Sequence, residues 1–283
     1  MNSKAQEKYI LAVDHGSTGL KTSLFSTSGK SIDFEFEPTP ITILPEGGAE
    51  QDPEEWWQAT IKTCRRLVEK KSVPAEDIVA IGVSSTFSST VAVGRNTKPM
   101  MNALTWADSR GAKYVRKIMG GAIEIEGYSL TNLLTWIPKT AGAPALSGKD
   151  DIAHVLYIKN AHPEIYTDTY MFLGSKDYLN LRLSGEFASS PDSMTLFWVV
   201  NIKDINNLDY DDRLIRKLGI DRDKMPPLKQ ATDILGNVLP EVADEIGIKR
   251  DVKVVVGSPD LQSAGVGAGT VEDYQGHIYI GTG

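Results

Sequence analysis

The chain has 283 residues, of which 41% are hydrophobic and 24% charged; that is the ordinary balance of a folded protein with a sizeable core, and it excludes a disordered chain. Net charge is −7, and Lys and Arg are dispersed along the sequence, so a basic face for wrapping a phosphate backbone is not expected and nucleic acid is excluded as a partner. The single cysteine, Cys64, cannot form an internal disulfide, and no apolar run near the start is long enough for a signal segment or a membrane span; a cytoplasmic protein with no membrane partner is expected.

Tyr9–Val13 is a continuous apolar run that stops at Asp14-His15-Gly16, the pattern of a strand buried on both faces and opening into a tight turn. Leu20–Phe25 reads as a second strand, and Thr27-Ser28-Gly29-Lys30 supplies the next turn of an antiparallel hairpin. Asp52-Pro53-Glu54-Glu55 is a helix start: a capping carboxylate, proline at the first helical position, and acids facing the positive end of the helix dipole. Trp57, Ile61, Cys64 and Val68 follow at steps of four, three and four, which predicts an apolar stripe packed on a core.

Short apolar strands are expected at Val79–Val83, Val91–Val93 and Ala103–Trp106, with turn chemistry at Arg95–Pro99. Residues 121–149 are rich in Gly, Ala, Pro and Thr, and loops are expected there. Helices are predicted over Asp151–Ala161, over Ser175–Leu183 with a stop at Gly185, and over Leu239–Ile246 with a stop at Gly247. Val252–Gly257 reads as a buried strand emptying into Ser258-Pro259-Asp260, after which Leu261–Gly269 suits a closely packed helix. His277–Ile280 reads as a last strand before the glycine turn Gly281-Thr282-Gly283. Strands alternating with helices, and a hairpin at the start, give an α/β fold with a mixed sheet flanked by helices.

The segment Asp14-His15-Gly16-Ser17-Thr18-Gly19-Leu20-Lys21 joins a carboxylate to hydroxyls, glycines and a lysine, the groups that approach phosphate oxygens and hold a divalent ion. Two residues between the glycines, and Leu20 before Lys21, exclude a Walker-type loop. Read alone, the segment is equally an ordinary hairpin turn, and Asp260 reads first as a simple helix N-cap.

With these residues in view, Tyr9–Phe25 resembles the opening strand, loop and strand of the FGGY carbohydrate kinases, within the actin and hexokinase superfamily. Further stretches look like family landmarks in family order: Gly47–Trp57, Ala80–Ser84, Trp106-Ala-Asp108-Ser-Arg110, Lys176-Asp-Tyr178 with Leu183–Glu186, and Val254–Asp260 followed by Gly265–Gly269. The resemblance implies a ribonuclease-H-like lobe, with residues 1–269 forming a sugar-binding domain and 270–283 opening a second lobe that would carry the adenosine pocket. It implies an ATP-dependent kinase acting on a ketose, polyol or related sugar with Mg²⁺, and a half-length chain inactive alone; it leaves room for a homodimer. A non-catalytic sugar-binding or regulatory module derived from such a kinase is the alternative.

By the same resemblance Asp260 is the catalytic base and a sugar contact, Asp14 the metal ligand, and Gly16, Ser17, Thr18, Lys21, Gly281 and Thr282 phosphate contacts. Glu50, Gln51, Phe87, Ser88, Trp106, Asp108 and Arg110 would bind sugar, although Trp106 also suits a core and Asp108 with Arg110 a surface pair. The sequence departs from the family at two places that bear on the site. Ser85-Thr86-Phe87-Ser88 stands where xylulose kinases typically carry Gly-Gln-Met-His, which speaks against D-xylulose and brings the chain nearer to ribulose-kinase-like relatives. Lys21 stands where many members have arginine. His15, at a position often held by glutamine or isoleucine, is read as loop-shaping.

Overall fold

The computed structural model describes residues 7–278. The chain opens with three antiparallel strands, β1 (Tyr9–His15), β2 (Gly19–Ser26) and β3 (Ser31–Pro38), paired so that Asp14 lies opposite Lys21. Two short strands, β4 (Thr42–Leu44) and β5 (Gly48–Gln51), lead into helix α1 (Pro53–Glu69). Asp52 caps it as expected, its carboxylate accepting the Glu54 N–H at 2.8 Å. The buried face of α1 is wider than the stripe read from the sequence: it carries Trp56, Thr60, Thr63 and Leu67 as well as Trp57, Ile61 and Cys64.

On its outer side α1 reaches edge strand β3, whose Asp33, Glu35 and Glu37 face Lys70, Arg66 and Lys62. Strand pairing with period two turns alternate residues to one face, so this acidic row meets the basic row of the helix while Phe34 and Phe36 stay exposed.

Strands β6 (Ile78–Ser85), β7 (Thr90–Val93) and β8 (Ala103–Leu104) follow; the last is shorter than expected, because the chain turns at Thr105 to place Trp106. After α2 (Ala112–Met119), the segment expected to be loops holds a two-strand hairpin, β9 (Glu124–Ile125) with β10 (Tyr128–Ser129), and helix α3 (Leu130–Thr140). The helix escapes a reading by periodicity because Pro138 stands inside it; it sits in the final turn, and the helix ends three residues on at Ala141 in the left-handed region.

Helices α4 (Asp151–Ala161) and α5 (Pro163–Asp168), strand β11 (Met171–Gly174) and helix α6 (Ser175–Ser184) complete the middle, with Gly185 ending α6 at φ +79°. A small hairpin of β12 (Val200–Asn201) and β13 (Asp209–Tyr210) precedes α7 (Asp212–Leu218). The chain then returns through β14 (Ile234–Asn237), α8 (Pro240–Ile246) and β15 (Lys253–Val255) to α9 (Asp260–Gly267). His277 and Ile278, expected to begin a strand, lie in none: no neighbouring strand among the described residues runs beside them, and Ile278 is 89% exposed. Tyr279–Gly283, and with them Gly281 and Thr282, lie outside the described residues.

Two sheets organise these elements. The first runs β14-β15-β6-β1-β2-β3, with β15, β6 and β1 mutually parallel and the outer strands antiparallel; the second runs β11-β7-β8-β5-β4. The mixed α/β architecture is the one expected. One core fills the space between the first sheet and α1, α6 and α8; a second gathers Trp136, Phe172, Phe197 and the apolar sides of α4 and α7. The parallel trio matters most for function, because ligands of open α/β sheets collect beyond the carboxyl ends of such strands.

Candidate active site

The carboxyl ends of β1, β6 and β15 converge on an open cleft of about 610 Å³, lined by Asp14, Gly16, Ser17, Thr18, Ser84, Thr86, Phe87, Trp106, Asp260, Leu261, Ser263 and Ala264. Of the residues singled out in the sequence, Asp14, Gly16, Ser17, Thr18, Phe87, Trp106 and Asp260 meet there. Ser84, Thr86 and Ser263 add hydroxyls that were not singled out one by one as sugar contacts: the first two belong to the stretch at and just past the end of β6 that carries Phe87, and Ser263 lies one turn into α9.

Asp14, the penultimate residue of β1, is half-buried, and no hydrogen bond from a protein group among the described residues reaches its carboxylate. Burial raises its pKa above the ordinary carboxylate value, against the pull of the Lys21 charge opposite it. Asp260 opens α9 rather than capping it: Pro259 holds the cap position, and Oδ1 of Asp260 accepts the Leu261 N–H at 2.8 Å. Its pKa is raised as well, by burial first; the Leu261 N–H lowers it and the negative charge of Asp14 raises it.

Ser17 is held from two sides. Trp106 donates its indole N–H to Ser17 Oγ at 2.9 Å, and Gln51 Nε2 reaches the Ser17 carbonyl at 3.4 Å and the Thr39 carbonyl at 2.7 Å. Gln51 is buried and spends its amide on the loop backbone instead of lining the cleft. The Gly16 N–H is likewise taken, by the Gly19 carbonyl at 2.9 Å, so hydroxyls rather than this amide face the open space. His15, its neighbour, is wholly buried against Trp56 with ring centroids 4.4 Å apart and neither ring nitrogen bonded among the described residues; burial pushes its pKa down to about 3. Its carbonyl accepts the Thr86 N–H, so its main chain shapes the loop after β6.

Glu50, Asp108 and Arg110 form a network beside the cleft and do not line it. Arg110 Nη2 bonds Glu50 Oε1 and Asp108 Oδ2, each at 2.6 Å, Nη1 bonds the Tyr157 hydroxyl at 3.1 Å, and the guanidinium lies 4.5 Å over the Tyr157 ring. Asp108 is 0% exposed and also accepts the N–H groups of Ala49 and Arg110. A surface pair is therefore ruled out. The network is a buried clamp joining β5 to the segment after β8, and with both carboxylates committed the guanidinium has little capacity left for an outside anion.

Ser88 is buried behind Phe87, with φ +55°, and donates its hydroxyl to the Lys149 carbonyl at 2.5 Å; it too stands back from the cleft. Lys21 is exposed on β2 and does not line the cleft.

The chain that forms this cleft matches the model of the FGGY family of carbohydrate kinases, N-terminal domain, over residues 9–267. The chain belongs to the FGGY family of carbohydrate kinases. It is 29% identical to a gluconokinase of Bacillus subtilis over 97% of its own length and 50% of that protein's, and 28% identical to a xylulose kinase of Escherichia coli over 96% and 52%. Among solved structures it is similar to a gluconate kinase from Lactobacillus acidophilus (TM-score 0.78, 25% identity, 90% of this chain and 48% of that one). A xylulose kinase from the same organism shares the fold (TM-score 0.80, 24% identity, 93% and 50%). The chain thus spans about half the length of the curated relatives it matches, and its fold is the ribonuclease-H-like fold of these sugar kinases.

Proposed function

We propose that this chain is the sugar-binding lobe of an ATP-dependent carbohydrate kinase, with Asp260 as the base that accepts the proton of a sugar hydroxyl. The observation that carries the reading is the meeting of Asp14 and Asp260, 246 positions apart in the numbering, in one cleft at the ends of parallel strands. Phosphoryl transfer asks a protein for alignment and charge management above all. A carboxylate whose pKa is raised above the ordinary value is a better proton acceptor in the transition state than an ordinary exposed one.

The sugar is held by Trp106 and Phe87 against its C–H faces and by Ser17, Ser84, Thr86 and Ser263 at its hydroxyls. The Gln51, Asp108 and Arg110 contacts serve this arrangement from behind, by fixing the Ser17 loop and the segment that carries Trp106. Asp14 fits a magnesium ion: its oxygens carry no protein hydrogen bond among the described residues, and magnesium is commonly held by one or two carboxylates with the rest of its shell from water and phosphate. Bound there with ATP, the ion would offset charge on the phosphate oxygens. Residues 270–283 would begin the second lobe, which supplies the nucleotide pocket. A cytoplasmic setting agrees with the lone cysteine, buried with its thiol pushed up to about 12.

Titration of the 283-residue chain with ketoses and polyols, read by calorimetry and by tryptophan fluorescence, tests the reading. Millimolar binding abolished by Trp106→Ala, with no phosphoryl transfer from ATP by the isolated chain, is the expected result. A folded chain that binds no sugar contradicts it.

A further inference from the structure

Lys176, in the Lys176-Asp177-Tyr178 stretch, takes no part in the site as described, and yet it is 1% exposed and among the largest fully buried side chains. An ammonium group so placed must be paired. Its Nζ donates to Asp177 Oδ1 at 2.5 Å and to the Val256 carbonyl at 2.9 Å, and Asn180, one turn further along α6, puts Nδ2 on the same carbonyl at 2.7 Å. The other oxygen of Asp177 accepts the Ser189 hydroxyl at 2.5 Å. The Lys176 main-chain N–H donates to Ser85 Oγ at 3.2 Å, at the end of β6.

Val256 is the last residue before the four that end in Asp260. The next residue, Gly257, has φ +72° and packs so closely on β6 that a Cβ there would stand 2.2 Å from the Val83 carbonyl oxygen. Ser258 then donates its hydroxyl to Asp192. The start of α6 therefore holds two segments that lead into the cleft, the end of β6 at Ser85 and the root of the Asp260 segment at Val256. Stability alone does not call for such a pair, since apolar residues of like volume commonly serve as well or better than a buried ion pair.

We infer that Lys176, seconded by Asn180, is the positioning residue for Asp260: by holding the Val256 carbonyl it sets where segment 257–260 leaves β15 and how the carboxylate is presented to the cleft. The inference rests on the reading of Asp260 as the base. It gives the Lys176-Asp177 stretch a role in geometry that neither the cleft lining nor the hydrophobic core accounts for.

The test is made on the 283-residue chain with the charges removed as a pair, Lys176→Met with Asp177→Asn, so that no lone charge is left buried. Three quantities are measured: the melting temperature, amide hydrogen exchange at Gly257 and Ser263, whose N–H groups bond the Ala231 and Pro259 carbonyls, and affinity for xylitol and D-ribulose. The expected result is a melting temperature close to that of the parent, exchange at those two amides faster by about tenfold with the α1 amides unchanged, and sugar affinity weaker by about tenfold, the scale of one lost charge-assisted hydrogen bond.

A folded double variant with unaltered exchange at Gly257 and Ser263 overturns the inference. Should the double variant fail to fold, Asn180→Leu, which leaves the ion pair in place, takes over the same readouts with a smaller expected change, and no change again overturns it. Faster exchange together with a parent chain that binds no sugar would uphold the tether and remove the sugar-site reading instead.

Discussion

Asp14 and Asp260 face one cleft from different elements, the end of β1 and the first turn of α9, and the charge of Asp14 adds to burial in raising the pKa of Asp260. Two carboxylates so arranged repel a third negative group and welcome a cation or a hydroxyl.

That relation bears on the choice of sugar. Among the described residues lining the cleft there is no lysine, arginine or histidine, and Arg110 is already committed to Asp108 and Glu50. Gluconate is therefore expected to bind the chain at least about tenfold more weakly than xylitol or a ketose at low salt, with the gap closing as salt rises and in Asp14→Asn. Calorimetric titrations in the two salt regimes check this. Gluconate binding as tight as that of the neutral sugars would show that the cleft's charge does not set its preference.

Asp151 gives a pH signature unrelated to the chemistry. It is fully buried with a pKa raised from 3.8 to about 7, by burial first, opposed by the Thr90 hydrogen bond and helped by the charges of Asp150 and Asp177. A folded-state value above the unfolded one means that the native chain holds its proton longer, so stability is lost as pH rises from about 4 to about 7 and the loss is complete above that. Asp151→Asn is expected to leave stability near pH 4 unchanged and to raise it at pH 8, by on the order of 4 kcal/mol. Urea melts at the two pH values read the difference; equal effects at both would place the Asp151 proton elsewhere.

His15 acts from the acid side. Its ring stays neutral in the fold to about pH 3, against 6.5 when exposed, so the stability it permits is whole above 6.5 and is lost as pH falls from there toward 3. His15→Met, which keeps an adaptable apolar contact with Trp56, is expected to flatten that part of the profile. An acid limb as steep in the variant as in the parent would assign the loss to other groups, His154 among them.

The sequence displayed the parts of this molecule whose local rules are strong. The Tyr9–Val13 run, the Asp52-Pro53 helix start and the glycines after α6 and α8 each follow from backbone chemistry within a few residues, and the structure has them there. Helix α3 was hidden by Pro138, and strands of two residues such as β9 and β10 carry no period to read. The site was legible as a set of residue types but not as an arrangement. Whether Gln51 or Asp108 touches a ligand or braces a loop depends on which neighbours fold against it, and both are buried in hydrogen bonds to backbone groups that lie far along the chain or come from another strand. Lys176, Asp177 and Asp151 were least legible of all, because charged residues default to the surface and only tertiary packing places these inside.

The central claim, that Asp260 takes the proton of the attacking hydroxyl, is tested most directly by the turnover of a two-lobe enzyme carrying this lobe, with Asp260→Asn compared with the parent under saturating sugar and Mg·ATP. The account predicts a kcat lower by about 10²–10⁴-fold with sugar affinity within a few-fold of the parent. A variant that turns over at the parental rate would contradict it.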